Sequence, residues 1–258
     1  MFRRVGGDLG SIEDYERELG ISPKLGSEAK AGDPQAQQLY GLLLEGEPVM
    51  EYRVRPARHP AGGQPPFGVA GLTWLVKAAQ AGMPAAQYEV AHDLFLGEGC
   101  RRNEAKALKW LRMAADQSQA NADITLAGRL LHGTPSAADV SEAKARLEQA
   151  ASQGTVDGSQ DAKLLLAAIL AATPQTELRE PRRALELVST VHDVPFDPTP
   201  LEVEAAAHAA QADFTDAVRD ERAAISRARR LGWDLAPLQQ RLSAYASRKP
   251  WYGNLVEF

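Results

Sequence analysis

At 258 residues the chain is long enough for one or two compact domains or for a single elongated repeat array. Hydrophobic residues make up 44% and charged residues 24%, ordinary values for a folded protein, and a net charge of −5 argues against general nucleic-acid affinity. No apolar run approaches the roughly 18 residues that a membrane span needs, so no membrane insertion is expected, and the single Cys100 rules out an internal disulfide.

Taken in chain order, residues 1–28 form an N-terminal segment with a first capping helix. Arg3 and Arg4 are followed by no apolar stretch, which is not the pattern of a signal peptide. Cytoplasmic placement is expected for the chain as written, with periplasmic or secreted placement if an export signal has been removed. Beyond this segment a block of residues recurs. Trp74-Leu75-Val76-Lys77-Ala78-Ala79 returns as Trp110-Leu111-Arg112-Met113-Ala114-Ala115 and then as Arg146-Leu147-Glu148-Gln149-Ala150-Ala151, each time after 36 residues. That period marks stacked helical hairpins, each burying its apolar face only against its neighbours.

The first helix of each hairpin opens at Ala36-Gln37, Ala86-Gln87, Ala122-Asp123 and Ala162-Lys163, with a small residue five positions on at Gly41, Ala91, Ala127 and Ala167. Small residues there let paired helices approach closely. The spacing places Leu94, Leu108, Trp110, Leu111, Leu130 and Leu147 in the seams. Gly97, Gly133 and Thr173-Pro174 stop first helices, while Gly82, Ser118 and Gly154 stop second ones. The repeats span 29–192, interrupted at 47–67 by a Pro/Gly-rich insertion that neither helix can continue through. Residues 193–200 form a Pro-rich linker, 201–233 a further hairpin, and 234–258 a capping helix with an apolar tail. In that tail Trp251, Leu255 and Phe258 are expected to fold back on the cap, because the last hairpin of an array leaves one face uncovered.

The pattern Ala-Gln-Tyr-x-Val-Ala…Leu-x-x-Gly-Glu-Gly…Ala-Leu-Lys-Trp-Leu-x-x-Ala-Ala over residues 86–115 resembles the SEL-one-like repeat of bacterial type, a branch of the tetratricopeptide superfamily. The resemblance extends to 29–46, 67–118 and 119–154, more weakly to 159–191. Residues 201–231 resemble a plain tetratricopeptide unit. It implies an all-α, right-handed α-solenoid of antiparallel hairpins that binds proteins or peptides and carries no catalytic residues.

Chemistry-bearing motifs are sparse. None of the five histidines stands at the i, i+4 metal spacing, and no nucleophile elbow, phosphate loop or dinucleotide fingerprint occurs. No metal and no cofactor are therefore expected. His208 is expected to pack in a seam. Cys100 is expected to be exposed, its thiolate favoured by Arg101 and Arg102.

The positions flanking the small-residue marker define a candidate groove. They are Gln38 and Leu42 in the first hairpin and Tyr88, His92 and Phe95 in the second. The third hairpin adds Ile124, Thr125, Leu131 and His132. Aromatic anchors with little charge suit a peptide or helix, although Tyr88 and Phe95 would equally serve to pack against the adjacent unit. Arg53, Arg55 and Arg58 of the insertion are candidate loop contacts for an acidic or phosphorylated partner. The expected function is a non-catalytic interaction scaffold. Two alternatives stay open: an enzyme or enzyme accessory acting on cell-wall or peptide substrate, and a solenoid that associates with copies of itself.

Overall fold

The structure is a computed structural model that describes residues 21–45, 68–153, 156–191, 196–253 and 255. Among these residues it contains twelve α-helices, one short 3₁₀ turn at Thr176–Leu178 and no strand. The helices fall into two compact units that divide after Gln119.

The first unit holds α1 (Pro23–Ala31), α2 (Pro34–Leu44), α3 (Gly68–Gln80), α4 (Pro84–Leu96) and α5 (Glu104–Ala115). Each helix packs on the next, and α2 with α3 and α4 with α5 form the tight hairpins. Asp33 and Asn103 cap α2 and α5 through side-chain oxygens that accept from backbone N–H groups. Proline begins α1, α2 and α4, where its missing N–H costs nothing. The close approach expected at Gly41 is real. A Cβ there would lie 2.9 Å from the Gly71 carbonyl oxygen and 2.9 Å from Leu75. Tyr40 meets Trp74 edge-on across the same hairpin, with ring centroids 5.4 Å apart.

The second unit holds α6 (Ala120–Leu131), α7 (Ala137–Ser152), α8 (Val156–Ala172), α9 (Pro181–Ser189), α10 (Thr199–Ala210), α11 (Phe214–Leu231) and α12 (Ala236–Ala246). Its main core runs through α6, α7, α8, α9 and α10, with α8 at the centre. The α7 helix opens on a capping box in which Ser136 and Asp139 satisfy each other's backbone N–H. The chain then returns from α12. Leu255 is buried in the α8-centred core, Trp251 packs on that core and on the α10–α12 cluster, and the Gly253 N–H donates to the Ala172 carbonyl at 2.8 Å. Trp251 thus folds back on the capping helix as expected, whereas Leu255 docks on the α8-centred core instead of the cap; Phe258 lies outside the described residues.

Several expectations need correction. Leu111 and Leu147 are fully buried, but Leu94, Leu108, Trp110 and Leu130 are only half-buried, because they sit at the rims of the seams. The fourth first-helix starts earlier than Ala162-Lys163. Gln37 donates to the Ala29 carbonyl and Gln87 to the Ala79 carbonyl, each eight residues upstream, and Ser159 does the same to Ala151. The 36-residue step therefore carries through to Ser159, and Ala162 lies a turn further along α8. Helix α1 ends at Ala31 and α10 begins at Thr199, a few residues from the segment limits at 28 and 200.

Candidate binding face

Helix periodicity sorts the candidate residues before any partner is considered. On α4, Tyr88, His92 and Leu96 stand four residues apart and share one stripe. Tyr88 and His92 are half-buried, and Leu96 is 57% exposed. On α2, Gln38 and Leu42 occupy the same register and are half-buried. The first unit therefore presents a partly apolar stripe on each of its repeat-opening helices. Met113, 47% exposed on α5, adds a second large apolar side chain to the surface of that unit.

Phe95 does not belong to this stripe. It is 6% exposed, since it lies three residues beyond His92 and turns into the helix packing. Leu131 of the second unit is likewise buried, a member of the α6–α10 core. The two anchors therefore serve the fold and are removed from the candidate surface. On α6, Thr125 is half-buried beside Ile124, and His132 is exposed just past the helix end. Arg53, Arg55 and Arg58 lie outside the described residues. Leu96 was missed by the reading of residues because it immediately precedes the stop glycine, where a leucine reads equally as a terminal packing contact.

The turn after α4 has its own character. Gly97 takes φ +80°, so that the N–H groups of Gly97 and Glu98 both donate to the Asp93 carbonyl, at 2.7 and 3.0 Å. The turn returns over the helix end, and the ligand atoms of His92, Asp93 and Glu98 lie within 4.8 Å of one another. Cys100 is half-buried here, with its thiol 3.7 Å from the Asp93 carbonyl oxygen. Burial pushes its thiol pKa up, and the charges of Asp93 and Glu45 add to that shift. The expected activation by Arg101 and Arg102 is therefore reversed: the local carboxylates oppose the thiolate.

The second unit contains a buried ionic group. Arg241 of α12 donates to Glu202 of α10 and, at 3.1 Å through Nε, to Glu221 of α11. All three are buried, and Tyr245 of α12 is buried beside them. Burial raises the Glu221 carboxyl to about 7 and pushes Glu202 and Tyr245 above their ordinary values, despite the nearby guanidinium. Glu221 Oε2 and the Tyr245 hydroxyl have no hydrogen-bond partner among the described residues. Three helices converge on one guanidinium. His208 packs in the seam as expected, its Nδ1 2.8 Å from Asp220.

Residues 84–119, which include this stripe and the following hairpin helix, match the family model of the Sel1 repeat. That segment therefore carries a Sel1 repeat, and the antiparallel hairpins of the chain have the fold of the Sel1-repeat structures that they resemble. It is similar in structure to a Sel1 repeat protein from Oxalobacter formigenes, with 18% identity, 83% of each chain covered and a TM-score of 0.56. It is also similar to c5321, a protective antigen present in uropathogenic Escherichia coli strains displaying an SLR fold, with 18% identity and a TM-score of 0.50. That match covers 92% of this chain and 48% of the antigen, so the chain spans about half of that protein's length. No curated protein matches the sequence. Sel1 repeat proteins are generally protein-interaction scaffolds. No helix among the described residues is long and apolar enough to cross a membrane.

Proposed function

We propose that the chain is a non-catalytic scaffold that binds a protein or peptide on the repeat-opening helices of its first unit. The observation that carries this reading is the Tyr88–His92–Leu96 stripe, which presents an exposed leucine and a half-buried aromatic at helical spacing. Such a stripe suits an amphipathic helix or an extended peptide with apolar anchors, because the anchors remove surface from water that the monomer leaves exposed. The surrounding chemistry favours binding over turnover. The strongly shifted carboxyl, Glu221, is locked in a buried ion cluster, and the cysteine beside the stripe is held as a thiol.

A comparative pull-down from the host tests the proposal. Wild-type protein and a Tyr88→Ala/Leu96→Ala double variant, both verified as folded, are used as bait with quantitative mass spectrometry. Partners are expected to be depleted about 30-fold by the variant, as loss of roughly 2 kcal/mol of anchor energy requires. Equal capture by both baits overturns the assignment of this face.

A further inference from the structure

We infer that the outward face of α11 and the helix end beside it form a docking surface for an acidic protein segment, one that carries carboxylates or phosphates and an apolar residue next to them. The surface belongs to the second unit. Helical spacing assembles its charged part. Thr215, Arg219, Arg222, Ser226, Arg229 and Arg230 follow one another at three- and four-residue steps along one stripe, and all are exposed. The acids of the same helix lie elsewhere. Asp220 and Glu221 are buried, and Asp216 is held by Arg219, which also bonds Asp220. Arg222, Arg229 and Arg230 hold no ion pair or hydrogen bond among the described residues. Hairpin packing does not ask for a face of one sign. The α7 helix, second in its own hairpin, mixes Glu142, Lys144, Arg146 and Glu148. Arg229 and Arg230 also suit the negative end of the helix dipole, but Arg222 lies mid-helix, where the dipole offers nothing.

The second, independent observation is apolar. Phe196 is 72% exposed and Trp233 47%. Arg227 donates to the Asp197 carbonyl at 3.0 Å, which ties the residue after Phe196 to the C-terminal turns of α11. Gly232, at φ +73°, reverses the chain so that the Trp233 N–H donates to the Ala228 carbonyl at 3.0 Å. Both aromatics therefore stand at the end of α11 that carries Arg229 and Arg230. Rings left in water beside unpaired guanidinium groups combine the two side-chain types that anchor protein interfaces most strongly.

Charge selects the occupant. A guanidinium offers a planar fork of donors that matches the oxygens of a carboxylate or phosphate. From Arg222 to Arg230 the line is about 12 Å long at about 1.5 Å per residue, the reach of about four residues of extended chain. A short acidic segment meets only this line and the aromatics at its end. An anionic membrane or a nucleic acid would also face the rest of a chain of net charge −5, and Asp234 beside Trp233, so both are repelled where a short segment is not.

Fluorescence anisotropy tests the inference, with the full chain and a labelled peptide of consecutive glutamates ending in phenylalanine. A dissociation constant of about 10–100 μM is expected at low salt, weakening as salt rises. The Arg222→Gln/Arg229→Gln/Arg230→Gln variant is expected to bind at least about tenfold more weakly, and Trp233→Ala at least about threefold. Circular dichroism establishes that each variant is folded, and Arg222→Gln alone, expected to lose about threefold, serves if the triple variant does not fold. The same variants are expected to capture the partners that depend on Tyr88 as the wild type does, so this face and the first-unit stripe stand or fall separately. Wild-type affinity weaker than about 1 mM, or unchanged binding in the folded arginine variant or in Trp233→Ala, overturns the site. Co-sedimentation with phosphatidylserine vesicles that the arginine variant abolishes assigns the face to a membrane and overturns the acidic-segment reading.

Discussion

Individual side chains set the tolerance of the hairpins to change. Leu111 is fully buried in the α4–α5 hairpin region, so Leu111→Ala leaves a cavity and is expected to cost about 2–5 kcal/mol in a denaturant titration. Backbone conformation gives an opposite case. Gly32 and Gly82 take positive φ between a second helix and the next first helix, but Ala212 holds the same kind of turn at φ +64°. Left-handed geometry costs a non-glycine residue about 1–2 kcal/mol. Ala212→Gly is therefore expected to raise stability by up to about 1 kcal/mol, after the greater entropy of glycine in the unfolded chain is deducted. A lowered midpoint would show that the methyl group contributes packing. What the residues alone disclosed follows the same division. Leu111, Leu147 and Gly41 were legible because period and size both pointed inward. Trp110 and Leu94 were not, because a bulky residue at a seam rim fits the period while keeping one edge in water. Phe95 and Tyr88 carry the same aromatic character in sequence, and only their different angles around α4 separate core from surface.

Between elements, the decisive contacts are polar. The Arg241 cluster joins α10, α11 and α12, and it makes their docking depend on pH. The folded Glu221 carboxyl sits at about 7, above its ordinary 4.5, so folding favours the protonated form. The stability this contributes is full below about pH 4.5 and is lost as pH rises through 7. Thermal midpoints are expected to fall between pH 5 and pH 8, by an equivalent of roughly 1–3 kcal/mol, and Glu202 shifts with the same sign. Glu221→Gln should flatten this dependence; an unchanged slope would place its origin elsewhere. No periodicity argument reveals such a cluster, because its members are far apart in sequence and each resembles an ordinary charged helix residue. The tail was more legible. Its apolar residues follow a helix that needed covering, and deletion of residues 251–258 is expected to lower unfolding free energy by about 2–5 kcal/mol.

At the scale of the whole molecule, each unit has its own core. Residues 120–258 enclose the α8-centred cluster, the buried ion group and the docked tail. Expressed alone, this segment is expected to be helical and to unfold in one cooperative transition by circular dichroism. A broad, non-cooperative melt would show that its core is incomplete without the preceding repeats. The stripe proposed to bind, by contrast, lies in the first unit, so the same segment is expected to capture none of the partners that depend on Tyr88 and Leu96.

The hydrogen bond from Gly253 to Ala172 also bears on the order in which the second unit assembles. A hairpin array gains most of its contacts from neighbours in sequence, so its members close rapidly and as soon as they leave the ribosome. The tail breaks that rule. It joins the segment after α12 to α8, which lies far earlier in sequence, and places Leu255 in the core that α8 centres. A contact between segments so far apart in sequence is expected to form after the folding transition state, so stopped-flow measurements on Trp251→Ala should show faster unfolding with a nearly unchanged folding rate. The docked tail therefore acts as a latch on the native state, setting how long the unit stays folded and leaving untouched how quickly it forms.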